Sequence, residues 1–104
     1  MIAAEAPKNL LHVVIDNEVY ESTGRQRSIS HAVPLEQVAK SAGYRKAVRV
    51  DKREEIKPVF EELMHSEGPV FLLIKVEPCF DSKTGRVTHT PEEITARFMK
   101  SFHR

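Results

Sequence analysis

The sequence predicts an α/β domain built on a parallel sheet, and three observations carry that prediction. Short runs rich in Val, Ile and Leu alternate with runs whose apolar residues recur at helical spacing. Glycine and proline punctuate the junctions, as at Pro34, Gly43 and Gly68-Pro69. The resulting order is strand, loop, helix, strand, helix, strand, loop, helix. Right-handed crossovers fold that order into one sheet with helices against its faces.

Each element follows from local chemistry. Residues 2–6 are a small helix-friendly stretch, and Pro7-Lys8-Asn9 turns the chain into a first strand over 10–15. That strand is an almost continuous apolar run, with His12 the one polar exception, and predicts cover on both faces. Over 16–32 no period survives, only polar and small residues around Gly24, so this stretch reads as a long loop of the functional kind. Pro34 opens a helix where its missing N–H does no harm, Leu35, Val38, Ala39 and Ala42 form its apolar stripe, and Gly43 closes it. Ala47, Val48 and Val50 make a second strand. Asp51 with Glu54 then reads as a capping box for a helix striped by Ile56, Val59, Phe60, Leu63 and Met64. Pro58 is expected to kink that helix or delay its start.

Gly68-Pro69 stops the helix, and 70–76, the most apolar segment, predicts the central strand. A polar loop over 77–89 follows. Thr90-Pro91-Glu92-Glu93 combines an N-cap, a proline at the first helical position and a capping-box glutamate. Ile94, Phe98, Met99 and Phe102 are the expected buried face of the closing helix.

Composition narrows the function classes. A chain of 104 residues is one domain or part of one, able to bury roughly 60–70% of its unfolded surface. Lys plus Arg number 16 against 15 Asp plus Glu, a net charge of +1, which argues against a nucleic-acid or membrane-surface binder. No apolar run approaches the roughly 18 residues of a membrane span. Residues 1–7 have neither a basic region nor a long apolar region, so no signal peptide is expected. The single Cys79 cannot form an internal disulfide, which makes the cytoplasm the default compartment. A three-stranded sheet with two strands covered on both faces leaves edges open. The chain is therefore expected either to pair with another chain or to be the later part of a larger doubly wound domain.

Most familiar chemistries are excluded by spacing. His12, His31, His65, His89 and His103 fall at no metal-ligand spacing, and Cys79 has no cysteine partner. Neither Cys79 nor Ser22 sits in a nucleophile elbow. Four glycines build no phosphate-binding glycine motif, and Lys83-Thr84-Gly85-Arg86 reads as a solvated turn. The informative place is the carboxyl end of the first strand, where open parallel sheets bind ligands. Asp16-Asn17-Glu18-Val19 there is dense in oxygen donors. It fits either a hard cation such as Mg2+ or a simple strand-ending turn.

At these residues the chain resembles the thiamine-diphosphate-dependent 2-oxo acid decarboxylases, in particular the phosphonopyruvate and sulfopyruvate branch. The resemblance begins with Pro7-Lys8-Asn9-Leu10 through Val14-Ile15-Asp16-Asn17 and continues through Tyr20-Glu21-Ser22-Thr23-Gly24-Arg25-Gln26. It runs on through 38–44, 68–76, 86–93 and Arg97-Phe98-Met99. It implies a three-layer, Rossmann-like fold, with 1–104 the C-terminal part of a thiamine-diphosphate-binding domain. It also implies thiamine diphosphate and Mg2+ as cofactors. Asn17 would give a side-chain oxygen to Mg2+ and Val19 its backbone carbonyl, while Asp16 takes the first place of the family's Asn-Asn pair beside the diphosphate. His31, outside the matched motif, is expected to matter little.

Three departures qualify what the resemblance implies. The family's Gly-Asp-Gly segment, with its aspartate ligand, would lie further ahead of Asn17 than this sequence reaches, and the glutamate that activates the cofactor belongs to another domain. Arg25 stands where relatives often carry a second glycine. The isolated chain is thus expected to be inactive, its partners being the missing N-terminal domains or a partner subunit, with homo-oligomerisation and no nucleic acid or membrane. The alternative is a non-catalytic interaction module that assembles through its exposed sheet edge.

Overall fold

The computed structural model describes residues 1–79 and 83–102. A short helix α1 (Ile2–Glu5) precedes strand β1 (Leu11–Asp16). A two-stranded hairpin of β2 (Val19–Tyr20) and β3 (Gln26–Arg27) and a 3-10 turn (Ile29–His31) follow. Then come α2 (Leu35–Ala42), β4 (Lys46–Val50), α3 (Arg53–Met64), β5 (Val70–Lys75) and α4 (Pro91–Lys100). Strands β1, β5 and β4 form a parallel sheet in that order, with β5 in the centre, as the alternation and the apolar run predict. No helix among the described residues is long and apolar enough to cross a membrane.

Period-two alternation along β5 splits the core into two layers. Val70, Leu72 and Ile74 pack with Val50, Leu63, Ile56 and Val59 on the α3 face. Phe71 and Leu73 pack with Ala39, Leu35, Ala47, Val14 and Tyr44 on the α2 face. His12 belongs to the second layer. Its Nδ1 lies 2.8 Å from the Tyr44 hydroxyl and its ring meets Phe71 edge-on, which accounts for the one polar residue in an apolar strand.

Helix boundaries follow the capping chemistry in two cases and depart from it in one. Gly43 closes α2 at φ 110°, the left-handed conformation that glycine adopts without a Cβ penalty. Thr90 and Glu93 form both halves of the predicted capping box of α4. The predicted Asp51–Glu54 box does not form: the N-cap of α3 is Lys52, so Glu54 falls too early in the first turn to reach back. Helix α3 runs unbroken through Pro58.

Three further expectations are corrected. Strand β1 is an edge and is covered along its α2 face, while on the other face only Leu11 packs against the α3-side core and Val13 and Ile15 stay 36% and 70% exposed. The stretch over 16–32 is not a plain loop, because the β2–β3 hairpin and the 3-10 turn organise it. Helix α4 buries none of its residues, and Ile94, Phe98, Met99 and Phe102 are exposed. The patterns are amphipathic as read, but among the described residues nothing covers these apolar faces.

Candidate functional site

The site grows from the last residue of β1. In the parallel register Asp16 lies beside Lys75, the last residue of β5. Their side chains point to the α2 face, following His12, Val14, Phe71 and Leu73 by alternation. Asp16 is 8% exposed, and every strong bond of its carboxylate is internal. Its Oδ2 takes a charge-assisted bond from Lys75 Nζ at 2.7 Å. Its Oδ1 accepts from the Glu18 backbone N–H and the Ser30 hydroxyl, both at 2.8 Å. Lys75 also reaches Glu18 Oε1 at 2.5 Å. Burial alone would raise the Asp16 pKa, but the bonds from Lys75, the Glu18 amide and Ser30 outweigh it and hold the carboxyl below its usual range. Burial likewise opposes the charge on Lys75, and its bonds to Asp16 and Glu18 raise its pKa above the ordinary lysine value.

This buried pair fixes the turn that follows. Glu18 adopts φ 62°, and Asn17 Oδ1 accepts the Val19 N–H at 3.3 Å. The strand-ending turn foreseen for Asp-Asn is therefore formed. An amide oxygen has a second lone pair, so this long bond still leaves Asn17 able to coordinate a cation. The Val19 carbonyl follows from the hairpin ladder. Ser28 N–H bonds to the Glu18 carbonyl at 2.8 Å, which makes Val19 and Arg27 the next, non-hydrogen-bonded pair. The N–H and C=O of Val19 consequently point away from β3.

Asn17, Glu18 and Val19 line a cavity of 510 Å³ outside the carboxyl ends of the strands, with Lys75 and Glu77. Arg27, His31 and Asp51 line it as well. Of the residues singled out from sequence, Asn17 and Val19 face this cavity, while Asp16 lies beneath it. His31, outside the matched motif, also reaches this cavity. Its Nδ1 is 2.6 Å from the Ser28 carbonyl, and it forms part of the cavity wall. The sequence reading missed Lys75, Ser30, Arg27 and Asp51. For Lys75 a signal existed: it is the lone charge ending the most apolar run, and pairing neighbouring strands end to end sets it against Asp16.

The donors suit a hard cation, being an amide oxygen and a carbonyl oxygen. They are fewer than an octahedral ion requires. Among the described residues no group of three or more His, Cys, Asp or Glu is placed to hold a metal. The donors present would fit a hard cation only if further ligands completed its shell.

Fold and site together define an α/β domain with an open polar cavity at the carboxyl ends of its parallel strands. Residues 1–74 match the model of the thiamine pyrophosphate enzymes, C-terminal TPP binding domain, and the chain belongs to that family. It is 35% identical over 97 residues to the phosphonopyruvate decarboxylase of Streptomyces viridochromogenes, covering 93% of this chain and 24% of that protein. It is 30% identical to the sulfopyruvate decarboxylase of Methanosarcina acetivorans, covering 96% of this chain and 26% of the relative. It is 33% identical to the sulfopyruvate decarboxylase subunit beta of Methanothermobacter thermautotrophicus, covering 94% of this chain and 50% of the relative. The chain therefore spans between a quarter and a half of the length of these relatives. No solved structure matches. The Rossmann-like expectation and thiamine diphosphate as the family's cofactor are borne out.

Proposed function

We propose that the chain forms one side of the cofactor anchor in a thiamine-diphosphate-dependent decarboxylase acting on a 2-oxo acid of the phosphonopyruvate or sulfopyruvate type. The 104 residues are then a partial cofactor domain. Asn17, through its side-chain oxygen, and Val19, through its carbonyl, give two ligands to the Mg2+ that holds the diphosphate. Asp16 is a positioning residue that fixes both donors through its bonds to Lys75, Ser30 and the Glu18 amide. The observation that carries this reading is the direction of the Val19 carbonyl away from its hairpin partner, beside Asn17 on an open cavity. When bound, the cofactor's thiazolium ring accepts the electron pair released as the substrate's carboxylate leaves as CO2.

The remaining ligands and the glutamate that activates the cofactor come from N-terminal domains or a partner subunit, and the assembly is a homo-oligomer of cytoplasmic enzyme. The bare face and open edge of β1 support this, since Val13 and Ile15 are apolar groups left in water. The test is a chimera in which this chain replaces the matching quarter of the Streptomyces phosphonopyruvate decarboxylase. CO2 release from phosphonopyruvate with thiamine diphosphate and Mg2+ is the expected result. A folded chimera that binds cofactor and releases none would refute the function. The isolated chain should release none.

A further inference from the structure

We infer that Arg27, with His31 beside it, is the specificity-determining contact for the second acid group of the substrate, a tetrahedral phosphonate or sulfonate. This rests on the proposed function and names the part of the substrate that the cavity recognises. Acids of this type carry two anionic groups. One leaves as CO2, and the other stays on the adjacent carbon, where its binding orients the reacting centre.

The cavity wall is divided by charge. On the hairpin side stand Arg27 and His31. The Arg27 guanidinium makes no hydrogen bond or ion pair among the described residues, although Arg25, two positions earlier, is spent on Glu21 at 3.0 Å and reaches the Pro78 carbonyl. His31 donates its Nδ1–H to the Ser28 carbonyl, which directs Nε2 elsewhere. On the β4 and β5 side stand Asp51 and Glu77, which also line a second cavity reaching over α3. Lys75 is committed to both Asp16 and Glu18, one positive charge against two carboxylates. The uncommitted positive charge of the cavity therefore lies with Arg27. Its planar fork matches two oxygens of a tetrahedral oxyanion.

Two sources could supply that oxyanion, the substrate and the cofactor's diphosphate. In the proposed anchor the diphosphate's charge is met by Mg2+, whereas the substrate's second acid group has only the Arg27 guanidinium as an uncommitted cation among the described residues of the cavity. That difference in charge demand assigns Arg27 to the substrate.

Methylphosphonate titrated into the full chain, followed by the NMR signal of the Arg27 side chain, tests this without requiring turnover. Saturable binding is expected. Arg27→Ala should weaken it at least 10-fold and Arg27→Lys should recover part of the loss. Acetate should bind more weakly, and pyrophosphate with Mg2+ should leave methylphosphonate in place. Arg27 is exposed, so the variants should keep the parent circular dichroism. Equal binding by Arg27→Ala would overturn the assignment, and so would displacement by Mg2+-pyrophosphate, which would give Arg27 to the cofactor. The two readings fail separately: a chimera that releases no CO2 refutes the function, whereas methylphosphonate binding reports on Arg27 alone.

Discussion

Strands β5 and β1 are both six residues long, with five and four apolar residues respectively, yet they live in different surroundings. The first five residues of β5 are all buried, with Leu72 at 0% exposure. In β1 only Asp16 is buried, and Ile15 is 70% exposed. The difference teaches that apolar content reports what a strand is made to be covered by, whether or not the covering element is in the same chain. Within β1 it also separates a finished half from an unfinished one. The α2 face, with His12, Val14 and Asp16, is packed and bonded; the face carrying Val13 and Ile15 is bare.

The comparison breaks most sharply on core truncation. Leu72→Ala should cost about 3–5 kcal/mol by chemical denaturation, whereas Ile15→Ala should cost less than about 0.5 kcal/mol. Similar costs would mean that β1 is covered in solution by another copy of this chain. Next in size is the finished end of β1. Lys75→Met leaves a buried carboxylate without its charge partner and should cost about 3 kcal/mol. The same pair sets an acid limit. A carboxyl whose folded pKa is depressed contributes stability that is complete above its unfolded value, about 3.9, and is lost as pH falls through the folded value. Stability should therefore drop below about pH 4 in the parent and less steeply in Asp16→Asn, as read from thermal midpoints across pH.

Gly68→Ala probes the junction feeding both strands. A Cβ there would stand 2.6 Å from the Leu10 carbonyl oxygen and 3.1 Å from those of Lys8 and Pro7. Backbone must shift to admit it, so a loss of about 2 kcal/mol is expected in the same denaturation assay. The smallest effect on stability, and the most telling for assembly, is Ile15→Ser with Val13→Ser. These changes should leave the fold intact and reduce self-association in sedimentation. A parent chain that stays a compact monomer at high concentration would show that the bare face needs no partner.

The fold was legible where pattern and chain agree. The apolar strand at Val70–Lys75, the Gly43 cap and the Thr90-Glu93 box depend on neighbours within a few residues, and all three form. Features set by distant or absent partners were not legible. The bare face of β1 and the exposed stripe of α4 read as buried because amphipathicity does not say what lies opposite. The hairpin at 19–27 escaped because two-residue strands leave no period to find. At the site, Asn17 and Val19 came from the motif resemblance. Lys75, Arg27 and His31 reach the cavity only through strand register and the hairpin turn.

Calorimetric titration of thiamine diphosphate at fixed Mg2+ into the chimera tests the central claim most directly, with Asn17→Ala as the variant. His65→Ala, at the far end of α3, is a better control than His31, which shares the cavity wall. Removing one oxygen donor from a cation that insists on near-octahedral coordination should weaken cofactor binding about 10-fold or more, with Asn17→Asp retaining more than the alanine. His65→Ala should bind as the parent does. Unchanged Mg2+-dependent affinity in Asn17→Ala would contradict the account, leaving the strand end a turn and nothing more.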